Sequence, residues 1–246
     1  MIPSKNLSEI KIMQEGGKIL RETLLYLESR AVAGMSLLEI DRLASDFILK
    51  NNAKPSFLGY ENFPKSICTS VNDVVVHGIP NEYTLKDGDI ISVDAGVFYK
   101  GFHTDSAITF SIGKIDKGAR ALIDVTKQAL AGSIGLIRPG IRLGDISFFI
   151  QDYVEKRGFG IVRELVGHGI GRKIHEPPQI PNYGKKGSGI MLNEGMVLAI
   201  EPMVTEGDYH IKMSDDGWGI ETKDGKLAAH FEHTIAVVKN GSIILT

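Results

Sequence analysis

The sequence predicts an α+β fold built from two related units, each a pair of helices followed by a β-hairpin. Two alignments of the chain with itself point to this duplication. Residues 33–53 can be laid on residues 139–159 at an offset of 106, and residues 85–94 match residues 192–201 at an offset of 107. Two matches at nearly the same offset favour an internal repeat. The alternative at this point is a chance resemblance between helix and strand patterns.

The two units run over about residues 8–112 and 118–240, and no linker, low-complexity tract or run of charge separates them. We therefore expect a single domain over residues 1–246, with a pseudo-two-fold relation between its units. Its strands are expected to form a central antiparallel sheet, and its helices to cover one face of that sheet.

The first unit begins with two predicted helices. A helix that starts after Ser8 has apolar residues three, four or seven positions apart on one face: Met13, Leu20, Leu24 and Leu27. Gly16 and Gly17 lie inside this helix and indicate close packing there. Ser36 and Glu39 have the spacing of a capping box, which predicts the start of the second helix.

Three segments of the first unit have strand character: residues 66–71, 89–98 and 102–111. Three residues with turn chemistry separate the last two segments: Tyr99, Lys100 and Gly101. We therefore expect a hairpin there. The second unit opens with a predicted helix around residues 118–137 and then repeats the pattern.

Composition excludes several classes of partner. The 28 basic and 30 acidic residues give a formal net charge of -2, which leaves no electrostatic footprint for nucleic acid or an anionic membrane. The apolar runs are too short to span a bilayer, and the N-terminus has no signal pattern. The single Cys68 cannot form an internal disulfide. We expect a soluble cytoplasmic protein.

Four acidic residues stand in or beside apolar strands. Asp94 and Asp105 are equidistant from a turn centred on Tyr99–Lys100, so their carboxylates are expected to lie nearly opposite each other. The repeat places Glu201 where Asp94 stands, and Glu232 can occupy the position of Asp105. Each acid alone is compatible with a salt-bridged or partly exposed strand residue. Because buried carboxylates need a cation or a proton, the four together predict two divalent cations near the pseudo-two-fold axis.

Histidine nitrogen is the natural complement to such carboxylates. Three of the seven histidines stand in segments suited to a site. His168 lies between two glycines, His175 precedes Glu176 and two prolines that hold the chain extended, and His77 lies beside a glycine after a strand. The other four are expected to be structural or surface residues, with a supporting role open to the two that adjoin acids, His103 and His233: His103, His210, His230 and His233.

Six segments together resemble the methionine aminopeptidases, in order and over the whole chain: CTSVNDVVVHGIP, DGDIISVDAG, GFHTDSAITF, GHGIGRKIHEPP, LNEGMVLAIEPM and FEHTIAV. The resemblance implies the duplicated α/β fold called pita-bread and two divalent ions, which could be cobalt, manganese, iron or zinc. It implies five metal ligands: Asp94, Asp105, His168, Glu201 and Glu232. In that family the positions of Asp105 and Glu232 bridge the ions, Asp94 serves one ion, and His168 and Glu201 serve the other.

The implied reaction releases methionine from the N-terminus of nascent proteins with a small second residue, by a hydroxide that two metal ions activate. Glu201 is then the general base and later the proton donor. His175 donates a hydrogen bond to the carbonyl oxygen, and His77 contacts the scissile amide. The resemblance also implies the wall of a methionine pocket: Phe57, Tyr60, Phe63, Cys68, His77 and Trp218.

This sequence departs from the family at the pocket. Relatives often have cysteine at the position of Phe57, tyrosine at that of Phe63 and an aromatic residue at that of Ile174, so pocket width and second-residue preference stay open. Ordinary core packing is the alternative role for the wall residues. Cys68 is not expected to be a nucleophile, because no histidine–acid pair is placed for it.

Glu201 and Glu232 are 31 residues apart, which leaves no room for the helical subdomain of type 2 enzymes. The first predicted helix starts close to residue 1, so we expect no N-terminal extension of the eukaryotic type 1 kind; the resemblance is to bacterial-style type 1 enzymes. Prolidases and Xaa-Pro aminopeptidases share the fold and ligands and are one alternative, and a non-catalytic scaffold is another. The resemblance favours a monomer that acts on nascent chains, and ribosome association stays open.

Overall fold

A computed structural model describes residues 2–246. This range contains four α-helices: α1 Leu7–Arg30, α2 Leu37–Lys50, α3 Lys117–Ile134 and α4 Leu143–Glu155. The first unit has a short 3-10 turn, η1 Tyr60–Asn62, and five strands: β1 Lys54–Pro55, β2 Ile67–Val71, β3 Val74–Val76, β4 Ile90–Tyr99 and β5 Phe102–Ser111. The second unit has ten strands: β6 Gly160–Ile161, β7 Val166–Gly169, β8 Glu176–Pro181, β9 Val197–Ile200, β10 Met203–Thr205, β11 Ile211–Met213, β12 Ile220–Thr222, β13 Ala228–His230, β14 His233–Val238 and β15 Gly241–Ile244. The predicted α+β class is confirmed.

The first two helices begin where side chains satisfy free backbone N–H groups. The Ser36 hydroxyl accepts a hydrogen bond from the Glu39 N–H (3.3 Å), and the Glu39 carboxylate accepts one from the Ser36 N–H (2.8 Å), which confirms the predicted capping box. Asn6 and Glu9 make the same arrangement at α1. Helix α1 therefore begins slightly earlier than the predicted start after Ser8, because asparagine caps a helix as well as serine does.

The predicted close packing at the two glycines of α1 is confirmed. A Cβ atom at Gly17 would collide with the backbone carbonyl of Leu245, and one at Gly16 would lie 3.1 Å from the Tyr99 Cβ. Helix α1 therefore rests directly on the β4–β5 hairpin and on the segment that follows β15. Only residues without side chains allow this approach.

The strands form four separately hydrogen-bonded groups of three to five strands, or ladders. The main ladder of the first unit has the order β1-β4-β2 with β5 also on β4, and that of the second unit has the order β15-β14-β9-β7-β8. Two smaller ladders, β13-β10-β6 and β11-β12-β3, flank them. Every named pair is antiparallel, as predicted. The central sheet is thus assembled from two main ladders rather than from one uninterrupted run of strands.

The two main ladders meet at β5 and at the segment that leads into β14. The Glu232 N–H donates to the Ala107 carbonyl (2.9 Å), and the Ala107 N–H donates back to the Glu232 carbonyl (3.4 Å). The Thr234 hydroxyl accepts from the Asp105 N–H (2.9 Å) and donates to the Asp105 carbonyl (2.8 Å). The junction between the units therefore runs through the backbone of Asp105 and Glu232, two of the residues predicted to hold metal.

Each unit has its own apolar core, and a third core belongs to both. The third core joins Ile10, Met13 and Phe102 of the first unit to Ile170, Val197, Ala236 and Leu245 of the second. This shared core fixes α1 against strands of the other unit. No helix in the described range is long and apolar enough to cross a membrane.

Candidate metal centre

One cavity of about 590 Å³ brings together every site residue predicted from the sequence. Its lining includes the twelve of them: Phe57, Tyr60, Phe63, Cys68, His77, Asp94, Asp105, His168, His175, Glu201, Trp218 and Glu232. They come from both units and from strands and loops that are far apart in the chain. The fold therefore gathers them around one cavity.

The expectation that Asp94 and Asp105 face each other directly is wrong. The turn consists of Lys100 and Gly101 alone, both with positive φ (46° and 88°), so Asp105 pairs with Gly96 and not with Asp94. The two acids are diagonal neighbours on one face of the hairpin. Their carboxyl groups still lie close enough to interact, because burial, together with the charge of Asp94, raises the pKa of Asp105.

The second unit brings its acids to the same place from two directions. Glu201 directly follows β9, and Glu232 lies between β13 and β14. His168 stands on β7 opposite Ala199 of β9, with its Nε2 atom 3.5 Å from the Glu201 Oε1 atom. A Cβ at Gly167 would lie 2.5 Å from the Ala199 carbonyl oxygen. Glycine before His168 therefore allows β7 to approach the acidic strand closely.

Burial makes the cluster electrostatically unfavourable without a cation. It raises the pKa of the Asp94 carboxyl from its usual 3.8 to about 7. Burial, reinforced by the neighbouring carboxylates, raises the pKa values of Asp105, Glu201 and Glu232 well above their usual range. Burial also lowers the pKa of His168 to about 4, so its imidazole is neutral at pH 7.

The residues fit divalent metal ions. The Asp94 Oδ1 and Glu232 Oε1 atoms are buried and have no hydrogen-bond partner among residues 2–246. Single donor atoms of Asp105, His168 and Glu232 all lie within 4.8 Å of one another. Carboxylate oxygens with one neutral imidazole suit manganese, iron, cobalt and zinc. A cation would therefore satisfy unpartnered oxygens and relieve the repulsion between the acids.

Two further histidines face the cavity from loops. His77 follows β3 with a left-handed backbone (φ 60°), an uncommon conformation for a residue with a side chain. His175 precedes β8, and its Nδ1 atom lies 2.8 Å from the Tyr60 hydroxyl. Desolvation by surrounding protein lowers the pKa of both rings, although much of each ring is open to the cavity. Both are therefore neutral hydrogen-bonding groups at pH 7.

An apolar wall adjoins the polar cluster. Phe57, Phe63, Cys68 and Ile174 form one buried group, and Tyr60 and Trp218 pack against it. The Phe63 and Trp218 rings meet edge to face with centroids 5.1 Å apart. Burial, with nearby carboxylates, raises the pKa of the Cys68 thiol well above its usual value, so Cys68 is an un-ionised wall residue.

Sequence reasoning missed His230, which it placed among structural or surface histidines. His230 is 1% exposed, neither ring nitrogen has a hydrogen-bond partner in the described range, and Nε2 lies 3.7 Å from the Glu201 Oε2 atom. The available signal was its position two residues before Glu232. The other three behave as expected: His103 bonds Ser56, His210 bonds Asp208 at the surface, and His233 bonds Thr246.

Buried acids around a neutral imidazole, next to an apolar pocket, have the chemistry of a metal-dependent hydrolase. The model of metallopeptidase family M24 matches residues 11–239. The "Methionine aminopeptidase" of Clostridium perfringens is 52% identical over 246 residues, covering 100% of this chain and 99% of that protein. "Methionine aminopeptidase 1" of Bacillus subtilis is 48% identical over the same span. The chain belongs to metallopeptidase family M24 and, within it, to the bacterial methionine aminopeptidases.

Solved structures agree. The crystal structure of methionine aminopeptidase from Thermotoga maritima has a TM-score of 0.99 with 45% identity, covering 100% of this chain and 99% of that one. The prolidase of Pyrococcus furiosus has a TM-score of 0.81 with 21% identity over 99% of this chain and 65% of that one, which shows the shared fold alone. The pita-bread fold is confirmed. The chain is an aminopeptidase, so the alternative of a non-catalytic scaffold is set aside.

Proposed function

We propose that this aminopeptidase removes the N-terminal methionine of nascent proteins with a small second residue, using two divalent cations. The observation that carries the proposal is the cavity, where buried acids without a countercharge adjoin an aromatic, apolar wall. The names of the relatives support the same conclusion. We propose further that it acts as a cytoplasmic monomer, because one chain supplies the whole cavity.

Five residues would hold the cations: Asp94, Asp105, His168, Glu201 and Glu232. Asp105 on β5 and Glu232 in the segment before β14 lie at the junction of the units, and we assign to them the positions that would be shared by both cations. When bound, the ions act as Lewis acids that lower the pKa of water and hold the free α-amino group of the substrate. A blocked or formylated N-terminus would not fit.

Glu201 is the proposed proton carrier, which takes a proton from the attacking water and delivers it to the leaving amine. Its side chain is only 13% exposed, and burial raises its pKa, so the protonated form needed for delivery is accessible. Imidazole nitrogens of His168 and His230 lie 3.5 and 3.7 Å from its two oxygens. An imidazole therefore lies close to each oxygen of the carboxylate, beyond the usual length of a hydrogen bond.

His175 is proposed to stabilise the carbonyl oxygen of the scissile bond as it gains negative charge. When the Tyr60 hydroxyl donates to Nδ1, the proton of the neutral ring lies on Nε2, which is then the donor to the substrate. His77, which also lines the cavity, is assigned to the scissile amide. Because both rings are neutral, they donate hydrogen bonds without repelling the substrate amine.

The apolar wall is proposed to bind the methionine side chain. Contacts between sulfur and an aromatic ring contribute about 0.3–1.5 kcal/mol each, and Phe57, Phe63 and Trp218 offer three rings. We assign the preference for a small second residue to crowding by His77 and by Ile174, which is 4% exposed beside His175.

The test is a coupled assay on Met-Ala-Ser, Met-Lys, Leu-Ala and Xaa-Pro peptides, with and without chelator. We expect turnover of Met-Ala-Ser that chelator removes and added metal restores, with Met-Lys and Leu-Ala at least about 100-fold slower in kcat/KM. Preferential cleavage of Xaa-Pro peptides would instead indicate prolidase specificity. Turnover unaffected by chelator would contradict the metal assignment. Sedimentation of the same sample tests the monomer.

A further inference from the structure

A buried ion pair ties the N-terminal segment to the loop that carries His175. The Lys5 Nζ atom lies 2.5 Å from the Glu176 Oε2 atom, and the two side chains are only 4% and 6% exposed. We propose that Lys5 is a positioning residue for His175, acting through Glu176. The inference rests on the proposed function, because it concerns a residue assigned there to the substrate.

Glu176 fixes the loop before it. Its Oε1 atom accepts the backbone N–H groups of Arg172 (2.7 Å) and Lys173 (3.2 Å), while Oε2 accepts the Lys5 ammonium. One buried carboxylate therefore closes the turn that leads into His175. The ring of His175 itself is open to the cavity, so the loop backbone is anchored one residue beyond it.

Lys5 is built into this position. Its backbone N–H donates to the Gly195 carbonyl (2.8 Å), in the turn that precedes strand β9. Its side chain passes over Gly171, where a Cβ atom would collide with the Lys5 Cε atom. The backbone of Lys5 is thus bound to the turn before β9, and its side chain is bound to the carboxylate that fixes the His175 loop.

Loss of the ammonium would leave the buried Glu176 carboxylate without a countercharge. Such a charge is strongly unfavourable, so the carboxylate would turn outward or take up a proton and release its backbone contacts. The His175 ring would keep its Nδ1 contact with the hydroxyl of the half-buried Tyr60 and its edge-to-face contact with the His168 ring, 4.4 Å between centroids. These contacts act on the ring and do not replace the hydrogen bonds that the Glu176 carboxylate accepts from the loop backbone.

A second ion pair provides a matched control. Arg172 and Glu9 link the same two segments, with Nη2 2.6 Å from Oε1, but the arginine side chain is 68% exposed. Surface pairs contribute little. Glu9→Gln removes this pair and keeps the capping hydrogen bond of α1, since glutamine serves in a capping box.

The experiment measures kcat and KM on Met-Ala-Ser for the metal-loaded wild type, Lys5→Met, Glu176→Gln and Glu9→Gln. We expect Lys5→Met to lower kcat at least tenfold with less than a threefold change in KM and metal affinity, and Glu9→Gln to stay within twofold. The double variant Lys5→Met/Glu176→Gln has no uncompensated charge. If Lys5→Met does not fold, the kcat of the double variant is compared with that of the wild type in its place. A kcat within twofold of wild type in that double variant and in Lys5→Met would overturn the proposal.

A double-mutant cycle with His175→Ala separates positioning from general destabilisation. In that background Lys5→Met is expected to add less than a threefold loss, because the group it positions is gone. An equal loss in both backgrounds contradicts the proposal. Ring signals of His175 in NMR spectra of the metal-free protein give a readout without turnover: they should shift in Lys5→Met and not in Glu9→Gln. If the wild type fails to cleave methionine, the proposed function fails, and these spectra still decide the positioning.

Discussion

The two units of the chain follow one plan but deliver their acids to the cavity in different ways. In the first unit β4 and β5 are joined by a two-residue turn, so Asp94 and Asp105 belong to one rigid hairpin. In the second unit β9 and β14 pair directly, although strands β10 to β13 lie between them in the sequence. The longer path gives the second unit room for the wall residue Trp218 and for His230.

In the proposed site both units hold metal, whereas the proposed proton carrier comes from the second unit alone. The hairpin of the first unit contributes carboxylates fixed on adjacent strands. The second unit adds the imidazole of His168, the loop of His175 and the acid Glu201, whose two oxygens lie 3.5 and 3.7 Å from histidine nitrogens. Both units therefore contribute to the acidic cluster, and the second unit carries most of the residues that we assign to the reaction.

The largest expected effect tests the pair of equivalent acids. Glu201→Gln should lower kcat by at least about 10³-fold even at saturating metal, because it removes the proton carrier. Asp94→Asn should weaken metal binding, with much of the activity recovered as metal is added. Metal content and kcat measured together distinguish the two, with Glu82→Gln, an exposed residue in a turn, as the control. Near-normal kcat in Glu201→Gln would remove its assigned role.

The equivalent glycines Gly88 and Gly195 should differ in stability. Both have positive φ (98° and 86°), so alanine strains the backbone at each. At Gly88 the nearest atom to a new Cβ is 3.8 Å away, whereas at Gly195 the Cβ would meet Ser4 and the Lys5 carbonyl oxygen at 2.8 Å. We expect losses of about 1 and at least about 3 kcal/mol in urea unfolding. Equal losses would show that the N-terminal segment yields freely.

The acids and His168 should titrate with opposite effects on the metal-free protein. Asp94 keeps its proton in the folded state up to a pKa of about 7, while the unfolded chain releases it near 3.8, so the unfolding free energy falls as pH rises through that window. His168 has its pKa lowered to about 4, which makes stability rise with pH from about 4 to 6.5. The wild-type curve mixes both.

Asp94→Asn isolates the acidic contribution. The unfolding free energy of the variant minus that of the wild type, both with chelator, is expected to grow from pH 4 to 7 and then level off, by about 2 kcal/mol or more. With saturating metal the sign should reverse, because the variant loses a ligand. A difference independent of pH would mean that Asp94 is ionised throughout.

The smallest expected effect is an equal loss of stability from equivalent substitutions in the two units. Gly34 and Gly140 occupy equivalent turns before α2 and α4, with φ of 94° and 88° and open space around a new Cβ. Gly34→Ala and Gly140→Ala should each cost about 1 kcal/mol and leave kcat unchanged. Thermal melts that differ by more than a few degrees would show that the two turns are not equivalent.

Local signals in the sequence predicted local structure well. The Ser36–Glu39 spacing located a helix start, and the glycine pair in α1 indicated its tight contact. The internal repeat in the sequence predicted that Glu201 and Asp94 meet at one site, and both residues line the cavity. The predicted register of the β4–β5 hairpin was wrong because three consecutive residues have turn chemistry and the sequence does not show which two form the turn. Lys100 and Gly101 form it, both with positive φ.

Contacts between distant residues were not predictable. Lys5 and Glu176 are 171 positions apart, and the residues around each of them do not indicate that the two form an ion pair. The buried position of His230 depends on how β13 packs beside β10, a pairing that alternation alone does not specify. Such contacts follow from the assembly of the units, and single-sequence periodicity carries no record of it.

The core shared by α1 and the second unit makes the two units inseparable. Cleavage of the backbone between residues 113 and 116, in the loop that joins β5 to α3, would not release two independent halves. The fragments would remain associated through Ile10 and Met13 against Val197 and Leu245, and through the strand junction at Ala107. Neither fragment alone would contain more than part of the acidic cluster. The protein is therefore suited to reconstitution from two co-expressed fragments, with activity appearing only when both are present.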